Sequence, residues 1–341
     1  MKKYRLEIKN VDDFIPEIAK IFDIGYKNSL GEYAVNVPSV FGAGQIRGIN
    51  FPNGIGLYNI RVNFKEKISF HIYHNWIKPI RFIYCIGGEI CTGLGNSNTK
   101  SNLLNHQHLI AAPEAEDYQY LEFEPDKEIV LCYLEIDRNR FKDYLSFDLH
   151  EIESTYFQIF ADVNSKNSIF KTGTYGLQTL DLIKSIEDCR LSGFPRINFL
   201  GGKALEILAY LLVQFKNDET YQESRVKKRD LIALERAVDH INKNIRNIGT
   251  VQRLAKISGV NVNKLQDGFQ EIYGKTVNAY IRDIRLNLAM NMLIEGEKSV
   301  GEIVYELGLS SRSYFSKIFK RKYGLLPKHV LNKSNYKEVS E

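Results

Sequence analysis

Hydrophobic positions change their spacing along this chain of 341 residues. In the first half, β-branched and aromatic runs alternate with clusters of Gly, Pro, Asn and Asp, a pattern typical of short strands joined by turns. The predicted strands are residues 56–64, 68–73, 80–86, 118–123 and 129–136, which together favour an antiparallel sandwich or barrel. From about Gln178 the apolar residues recur every three or four positions, which predicts a helix around Leu180, Ile183 and Ile186 and another over 200–215.

The last third of the chain contains one pattern twice. It reads LAKISGV…KLQDGFQEIYG in the first copy and IVYELGL…SYFSKIFKRKYG in the second. In each copy an apolar helix ends on a turn glycine, Gly259 or Gly308, and a second helix follows with a buried aromatic residue, Phe269 or Phe319. The sequence therefore predicts two helix-turn-helix units. A helix over 276–295 would join them and span about 30 Å, close to the ~34 Å between successive major-groove faces of B-DNA.

Residues 229–332 resemble the DNA-binding domain of the AraC/XylS family of bacterial transcription regulators. The resemblance is carried by Leu254, Ala255, Gly259, Leu265, Phe269, Gly274, Tyr280, Arg285, Ala289, Leu293, Ile303, Gly308, Ser311, Ser313, Tyr314, Phe315, Phe319, Lys320, Tyr323, Gly324 and Pro327. Val304 and Leu309 are apolar departures from the family pattern, and they bear on packing rather than on function. The resemblance implies a sequence-specific transcription regulator, and we expect an activator.

The distribution of charge agrees with binding to DNA. Residues 225–333 contain 21 Lys and Arg against 10 Asp and Glu, a net charge of +11, whereas the whole chain carries +5 and the remainder therefore −6. Basic residues gain affinity for nucleic acid by displacing condensed counterions.

The second helix of each unit is the expected reading helix. In the second unit either Ser310 or Ser311 would cap it, and we expect Tyr314, Phe315, Ile318 and Phe319 to be buried. The predicted DNA-binding residues are Asn263, Lys264, Asp267 and Gln270 in the first unit and Ser311, Arg312, Ser313, Ser316, Lys317, Lys320 and Arg321 in the second. Arg312 and Lys317 are expected to reach base edges, and Lys320 and Arg321 to bind phosphates. Asp267 and Glu271 would place carboxylates in the first unit where the second has Lys317 and Arg321.

The N-terminal half resembles the cupin-like sensor domains of many members of this family. A small barrel can hold one ligand, and the candidate effector-binding residues are the strand aromatics Tyr73, Phe82, Tyr84, Tyr120 and Tyr133, with Phe123 beside them. The same aromatics would serve equally well as the barrel core. Phrases around Ile80, Ala204 and Lys264 further resemble the subgroup of siderophore-responsive, pyochelin regulator-like proteins, which implies a ferric siderophore as a candidate effector.

Four histidines are candidate metal ligands. His71 and His74 form HxxH, and His106 and His108 form HxH with Glu114 downstream. Residues three apart on a strand point to opposite faces, and the HxH-to-Glu spacing is longer than the usual cupin pattern. We therefore expect no metal site and no cofactor. The chain also has no P-loop, no Gly-x-Ser-x-Gly and no dinucleotide-binding fingerprint, so we expect no enzymatic activity.

Two alternative functions stay open at this point. One is a cupin-type metal-binding enzyme fused to a DNA-binding domain, and the other is a constitutive DNA-binding protein with a purely dimerising N-terminal domain.

The predicted fold class is α+β. We expect a cupin-like effector-sensing domain at 1–165, a helical linker or dimerisation region at 166–228, and an all-α DNA-binding domain of two helix-turn-helix units joined by a long helix at 229–335, with the interdomain linker itself in the polar segment 217–230. The N-terminus has no apolar run typical of a signal, the nearly apolar run 205–215 is too short to span a bilayer, and the four cysteines show no CxxC pairing. These features predict a cytoplasmic protein that does not enter a membrane. The expected partners are double-stranded DNA, a small effector, RNA polymerase and a second copy of the chain in a homodimer.

Overall fold

The computed structural model describes residues 1–74, 79–96, 99–220, 228–309 and 311–335. The chain folds into two compact units, residues 1–224 and 225–341.

The N-terminal unit is built on two β-sheets. The strands are β1 (Lys2–Ile8), β2 (Lys27–Ser29), β3 (Glu32–Asn36), β4 (Gly42–Asn50), β5 (Ile55–Phe64), β6 (Ile68–His74), β7 (Ile80–Gly87), β8 (Glu89–Leu94), β9 (Lys100–Leu104), β10 (Gln107–Ala112), β11 (Tyr118–Phe123), β12 (Glu128–Ile136) and β13 (Ile169–Thr174). One sheet has the order β1-β6-β11-β8-β9, and the other has the order β13-β10-β7-β12-β5-β4-β3-β2. All five predicted strands are confirmed, and the β-rich fold with them. The pairing is antiparallel apart from β1, which lies parallel to β6.

Side chains fill the space between the two sheets. Phe64, Phe70 and Phe123 meet edge to face there, with ring centroids 5.4 to 6.2 Å apart. The helix α1 (Phe14–Ile21) adds Phe14, whose ring packs edge-on against the stacked pair Tyr58 and Tyr133. Burial of these aromatic side chains stabilises the sandwich by roughly 1.5–3 kcal/mol each.

Among the described residues of this unit, four further α-helices follow: α2 (Arg138–Tyr144), α3 (Ser154–Phe160), α4 (Leu177–Glu187) and α5 (Gly193–Thr220). The eight-stranded sheet is joined to α4 and α5 by ion pairs, in which Arg61 of β5 contacts Glu187 and Arg196 of α5 contacts Glu32 of β3.

Helix α5 is longer than predicted, since it begins at Gly193 rather than near residue 200 and continues into the expected linker. Residues 221–227 of that linker lie outside the described part of the chain. By length and composition alone, the segment Gly193–Lys216 could cross a membrane, with a mean hydropathy of 1.2. A long core helix passes the same test, and Leu200, Ile207 and Leu211 of α5 are buried.

The C-terminal unit is all-helical. Its helices are α6 (Lys228–Lys243), α7 (Val251–Ser258), α8 (Val262–Tyr273), α9 (Val277–Glu295), α10 (Val300–Glu306), α11 (Arg312–Tyr323) and α12 (Pro327–Asn335). The predicted pair of helix-turn-helix units, α7–α8 and α10–α11, is confirmed, with α9 between them. Gly259 ends α7 with φ 77°, and Gly308 takes φ 64° in the turn after α10. In this region of backbone space glycine avoids the strain that a Cβ would cause.

Candidate nucleic-acid interface

The two reading helices repeat each other at an offset of 50 residues. Each has 12 residues and ends on a glycine in the left-handed conformation, Gly274 or Gly324. The side chain of Asn261 caps α8 by accepting the Lys264 N–H at 2.8 Å, and the Ser311 hydroxyl caps α11 by accepting the Tyr314 N–H at 3.1 Å. Such a cap satisfies a backbone donor that the first helical turn leaves unpaired.

Each reading helix is fixed by its apolar face. Phe269 and Phe319 are fully buried, as predicted, and Phe315 and Ile318 complete the buried face of α11. The prediction for Tyr314 is wrong, because its side chain is 46% exposed. This position corresponds to Lys264 of α8 at the 50-residue offset, and both lie on the solvent side of the first helical turn. Ser310, the other candidate cap, lies outside the described residues.

The exposed face of α11 is basic. Arg312, Ser313, Lys317, Lys320 and Arg321 are exposed, and Ser316 is half-buried beside them. The helix contains five Lys and Arg and no acidic residue. It therefore presents a positive surface along its whole length.

Two of the basic side chains of α11 are held within the unit. The guanidinium of Arg312 lies over Gly301 of α10, where a Cβ would collide with it. Lys322 donates to the side-chain oxygen of Asn287 at 2.8 Å, and the Tyr323 hydroxyl donates to the same oxygen at 2.9 Å. Arg312 thus packs along α10, and Lys322 anchors α11 to α9.

The exposed face of α8 carries a different charge. Asn263, Lys264, Asp267, Gln270 and Glu271 are all exposed. At the 50-residue offset, Asp267 corresponds to Lys317 and Glu271 to Arg321. The two reading helices thus present carboxylates and cations at equivalent positions, as the sequence predicted.

The long helix α9 fixes the positions of the two helix-turn-helix units. Arg285 donates from Nε and Nη2 to the carbonyl of Ile245, at 3.2 and 3.0 Å, and so connects α9 to the turn after α6. Gln266 of α8 accepts the Val277 N–H at 3.1 Å, which joins α8 to the start of α9. The sequence pattern identifies Arg285 only as part of the family resemblance and does not predict the contacts of Asn287. The separation of Asn287 from Lys322 along the chain left no local signal for them.

The candidate effector residues lie on three different surfaces. Tyr73 and Tyr120 are on the outer face of the five-stranded sheet, where Tyr73 stacks on Tyr118 with ring centroids 4.5 Å apart. Tyr133 points between the two sheets and stacks on Tyr58 at 4.7 Å. Phe82 and Tyr84 lie on the opposite face of the eight-stranded sheet and are buried. One compact site could contain only some of these five side chains. Phe123, named beside them, belongs to the ring cluster between the sheets.

The four histidines do not converge on one site: His71 and His74 lie apart, and His106 and His108 lie beside the neighbouring rings of Tyr175 and Tyr84. His71 stacks on Tyr118 on the outer face of the five-stranded sheet, with ring centroids 5.0 Å apart. His106 takes a turn position with φ 65°, and His108 is buried 6.0 Å from the Tyr84 ring. Burial lowers the pKa of His108 to about 4. Within the described ranges, no group of three or more His, Cys, Asp and Glu residues is placed to hold a metal ion.

His74 belongs to a buried charged cluster. The Arg81 guanidinium donates to its ring at 2.8 Å and to Glu135 at 2.7 Å. Burial would raise the pKa of Glu135, but the charges and hydrogen bonds of Arg81 and His74 together outweigh burial and lower the pKa to about 2. The cluster ties β6, β7 and β12 together inside the sandwich.

Known proteins match this chain over part of its length. A family model described as a helix-turn-helix domain matches residues 254–333. The regulatory protein PchR of Pseudomonas aeruginosa is 33% identical over 121 residues, which are 35% of this chain and 40% of PchR. The bifunctional transcriptional activator/DNA repair enzyme AdaA of Bacillus subtilis is 27% identical over 129 residues, or 38% of this chain and 61% of AdaA. The chain thus spans about two fifths to three fifths of these relatives.

The chain is also similar to solved structures. A transcriptional regulator with an AraC-type DNA-binding domain from Chromobacterium violaceum is 25% identical and covers 30% of this chain and 91% of its own, with a TM-score of 0.29. A ToxT variant from Vibrio cholerae is 18% identical and covers 81% of this chain and 96% of its own, with a TM-score of 0.33.

Proposed function

We propose that the protein, whose C-terminal unit is a tandem helix-turn-helix domain of the AraC type, is a sequence-specific DNA-binding transcription regulator. One observation carries the proposal: two capped helices of equal length, α8 and α11, repeat at a 50-residue offset within a strongly basic unit. Helices of this kind read base edges from the major groove while basic side chains bind the flanking phosphates.

The two helix-turn-helix units would contribute differently to DNA recognition. The basic face of α11 supplies phosphate contacts, with Lys320 and Arg321 on the backbone and Arg312 and Lys317 toward the bases. An exposed carboxylate repels phosphate but can accept a hydrogen bond from cytosine N4. On α8, Asp267 would therefore contact a base rather than the backbone. The α11 unit would then dominate non-specific affinity, and the α8 unit would refine sequence choice.

The N-terminal unit would make the regulator responsive to a small effector. A ferric siderophore is a candidate because the phrases around Ile80, Ala204 and Lys264 resemble those of siderophore-responsive regulators. An effector changes DNA affinity or contact with RNA polymerase only if it favours one arrangement of the protein over another. Helix α5 exposes Leu205, Tyr210 and Val213, with 45%, 39% and 59% of each residue accessible, and this apolar face supports a homodimer. We further propose that the protein activates transcription, that it acts in the cytoplasm and that it has no enzymatic activity.

Selection of bound DNA from a random library by the full chain tests the proposal. We expect an enriched motif with two half-sites about 10–10.5 base pairs apart, the spacing of successive major grooves. Affinity for the motif should exceed that for random duplex at the same salt concentration by roughly 10³-fold or more. Equal affinity for both would contradict sequence-specific regulation.

Metal analysis of the purified chain addresses the enzyme alternative. Stoichiometric iron or zinc that is lost in His106→Ala would favour a cupin-type metal enzyme fused to a DNA-binding domain. Operator binding that no effector changes would favour a constitutive protein with a dimerising N-terminal domain.

A further inference from the structure

A cleft opens in the C-terminal unit between α9 and α11. Its volume is about 450 Å³, and it is lined by Arg282, Asp283 and Leu286 of α9 and by Ile318, Arg321 and Lys322 of α11. Leu286 and Ile318 belong to the buried core of the unit, so packing fixes the apolar floor of the cleft. The remaining lining residues are charged and are more accessible to solvent.

The cleft contains more positive than negative charge. Three of its lining side chains are cations, and Asp283 is the carboxylate among them. Asp283 is already engaged, because it pairs with Lys275 and lies 3.8 Å from the Lys322 ammonium. Burial lowers the pKa of Lys322, although Asp283 opposes the shift. An anion in the cleft would therefore be stabilised by positive charge that Asp283 does not offset.

Two of the three cations have guanidinium groups that are free to bind a ligand. Within the part of the chain that the structure describes, the side chains of Arg282 and Arg321 make no hydrogen bond or ion pair. Arg282 is half-buried on α9, and Arg321 is exposed on α11. A guanidinium group matches the geometry of phosphate oxygens with two parallel N–H donors. Two such groups at one cleft can bind a single phosphate from both sides.

The cleft lies beside the exposed reading surface of α11. Arg321 follows Lys317 by four residues, so their side chains lie on one side of the helix. The major groove is about 12 Å wide, close to the roughly 10–12 Å diameter of a helix with its side chains. A helix in the groove therefore brings the residues on its flanks within reach of the sugar-phosphate backbones that border the groove.

We propose that Arg282 of α9 and Arg321 of α11 together bind one phosphate of the DNA backbone, in a strand that borders the major groove read by α11. The ligand is a phosphodiester, and the contact positions α11 without reading sequence. This assignment rests on the proposed function, in which the C-terminal unit binds DNA. It gives α9 a direct contact with DNA in addition to its packing role.

Fluorescence anisotropy of the full chain on a duplex that carries the selected motif tests the contact. Arg282→Gln should weaken binding about tenfold and reduce its dependence on salt, because a charge-assisted contact with phosphate is lost. Arg282→Lys keeps the charge and should keep the salt dependence, although it loses the bidentate geometry. The matched control is Arg236→Gln, at an exposed arginine of α6 that does not line the cleft, and it should change neither quantity.

Neutral methylphosphonate groups, placed one at a time in the backbone of this duplex, locate the phosphate. At one position the replacement should weaken binding by the wild-type chain about tenfold or more. At that position it should cost Arg282→Gln and Arg321→Gln much less, because each variant has already lost part of the same contact. This scan also identifies the contact from Arg321→Gln alone if Arg282→Gln proves unstable in thermal unfolding.

Random duplex separates this contact from sequence-specific regulation. Phosphate contacts carry no sequence information, so Arg282→Gln should weaken binding to random duplex about tenfold as well. This measurement can be interpreted even if selection enriches no motif.

Three results would overturn the assignment. They are unchanged affinity of Arg282→Gln for both duplexes, a loss no larger than that of Arg236→Gln, or methylphosphonate losses that are as large in both cleft variants as in the wild type at every position. Calorimetric titration of the DNA-free chain with inorganic phosphate tests the other source of the same group. Saturable binding that Arg282→Gln abolishes without changing DNA affinity would assign the cleft to a free phosphate instead.

Discussion

Arg312 and Arg321 stand near opposite ends of α11, and we assign them different roles. Arg312→Ala should cost about 1–3 kcal/mol on the selected sequence and relax specificity at one base pair, because the side chain is expected to reach a base edge. Arg321→Ala should weaken all sequences alike and reduce the salt slope by about 1. Fluorescence anisotropy on selected and scrambled duplexes at several salt concentrations measures both. Equal losses on the two duplexes for Arg312→Ala would refute its role.

Asp267 and Lys317 occupy equivalent positions and carry opposite charges. Lys317→Gln should reduce the salt slope and weaken binding, because it removes a cation near the phosphates. Asp267→Asn should leave the slope nearly unchanged and alter preference at a cytosine, because the amide donates as well as accepts hydrogen bonds. Salt titrations together with competition between duplexes that differ at single positions separate the two effects. Similar slope changes in both variants would contradict the proposed division between the reading helices.

At the scale of elements, the turn glycines differ in what surrounds them. Gly308 and Gly324 both have positive φ, 64° and 75°, so alanine at either position costs about 1–2 kcal/mol of backbone strain. A Cβ on Gly308 would also overlap the carbonyl oxygen of Arg246, whereas one on Gly324 meets nothing within 4 Å.

We therefore expect Gly308→Ala to destabilise the C-terminal unit by a few kcal/mol more than Gly324→Ala does. Thermal unfolding of both variants measures the difference, with circular dichroism at 222 nm as a suitable signal for a helical unit. Equal losses of stability in Gly308→Ala and Gly324→Ala would show that the turn beside Arg246 rearranges to accept the Cβ without an energetic cost.

The spacing of apolar residues predicted most elements of the fold, because buried positions recur with the local repeat of a helix or a strand. It predicted α8, α9 and α11 well, since their apolar faces and flanking glycines are both local signals. It failed for Tyr314, because an aromatic residue in the first helical turn can face solvent when its neighbour Phe315 takes the buried position. It also missed the parallel pairing of β1 with β6, which depends on residues more than sixty positions apart.

The candidate sites show the same limit. The exposed residues of α8 and α11 were predicted because a helix with one buried face leaves the other to solvent. The strand aromatics Tyr73, Tyr84 and Tyr133 could not be grouped from sequence. Strand alternation assigns each to one of two faces, but which sheet and which neighbour it meets depends on the topology.

At the scale of the whole molecule, the boundary between the two compact units coincides with the start of the basic part of the chain. Residues 225–341 form one compact unit, and residues 225–333 within it carry the net charge of +11. The compact N-terminal unit is acidic by comparison. The basic C-terminal unit would therefore attract DNA. The stability of the N-terminal unit can change separately with conditions such as pH.

The pH dependence of stability should therefore originate largely in the N-terminal unit. Burial near Tyr84 lowers the pKa of His108 from 6.5 to about 4. Because its folded-state pKa is lower than its unfolded value, protons bind the unfolded chain preferentially. The contribution of neutral His108 is complete above about pH 6.5 and is lost as the pH falls from there toward 4. At pH 5 this loss amounts to about 2 kcal/mol.

Differential scanning calorimetry at pH 7 and pH 5 measures this loss. His108→Phe, which keeps a ring without a titratable group, should show a smaller decrease in the melting temperature of the N-terminal unit between the two pH values than the wild-type chain does. The matched control is His150→Gln, at an exposed histidine of the same unit, and it should behave like the wild type. If His108→Phe loses as much stability as the wild-type chain between pH 7 and pH 5, then His108 is not the group whose protonation destabilises the N-terminal unit, and the acid sensitivity must originate elsewhere.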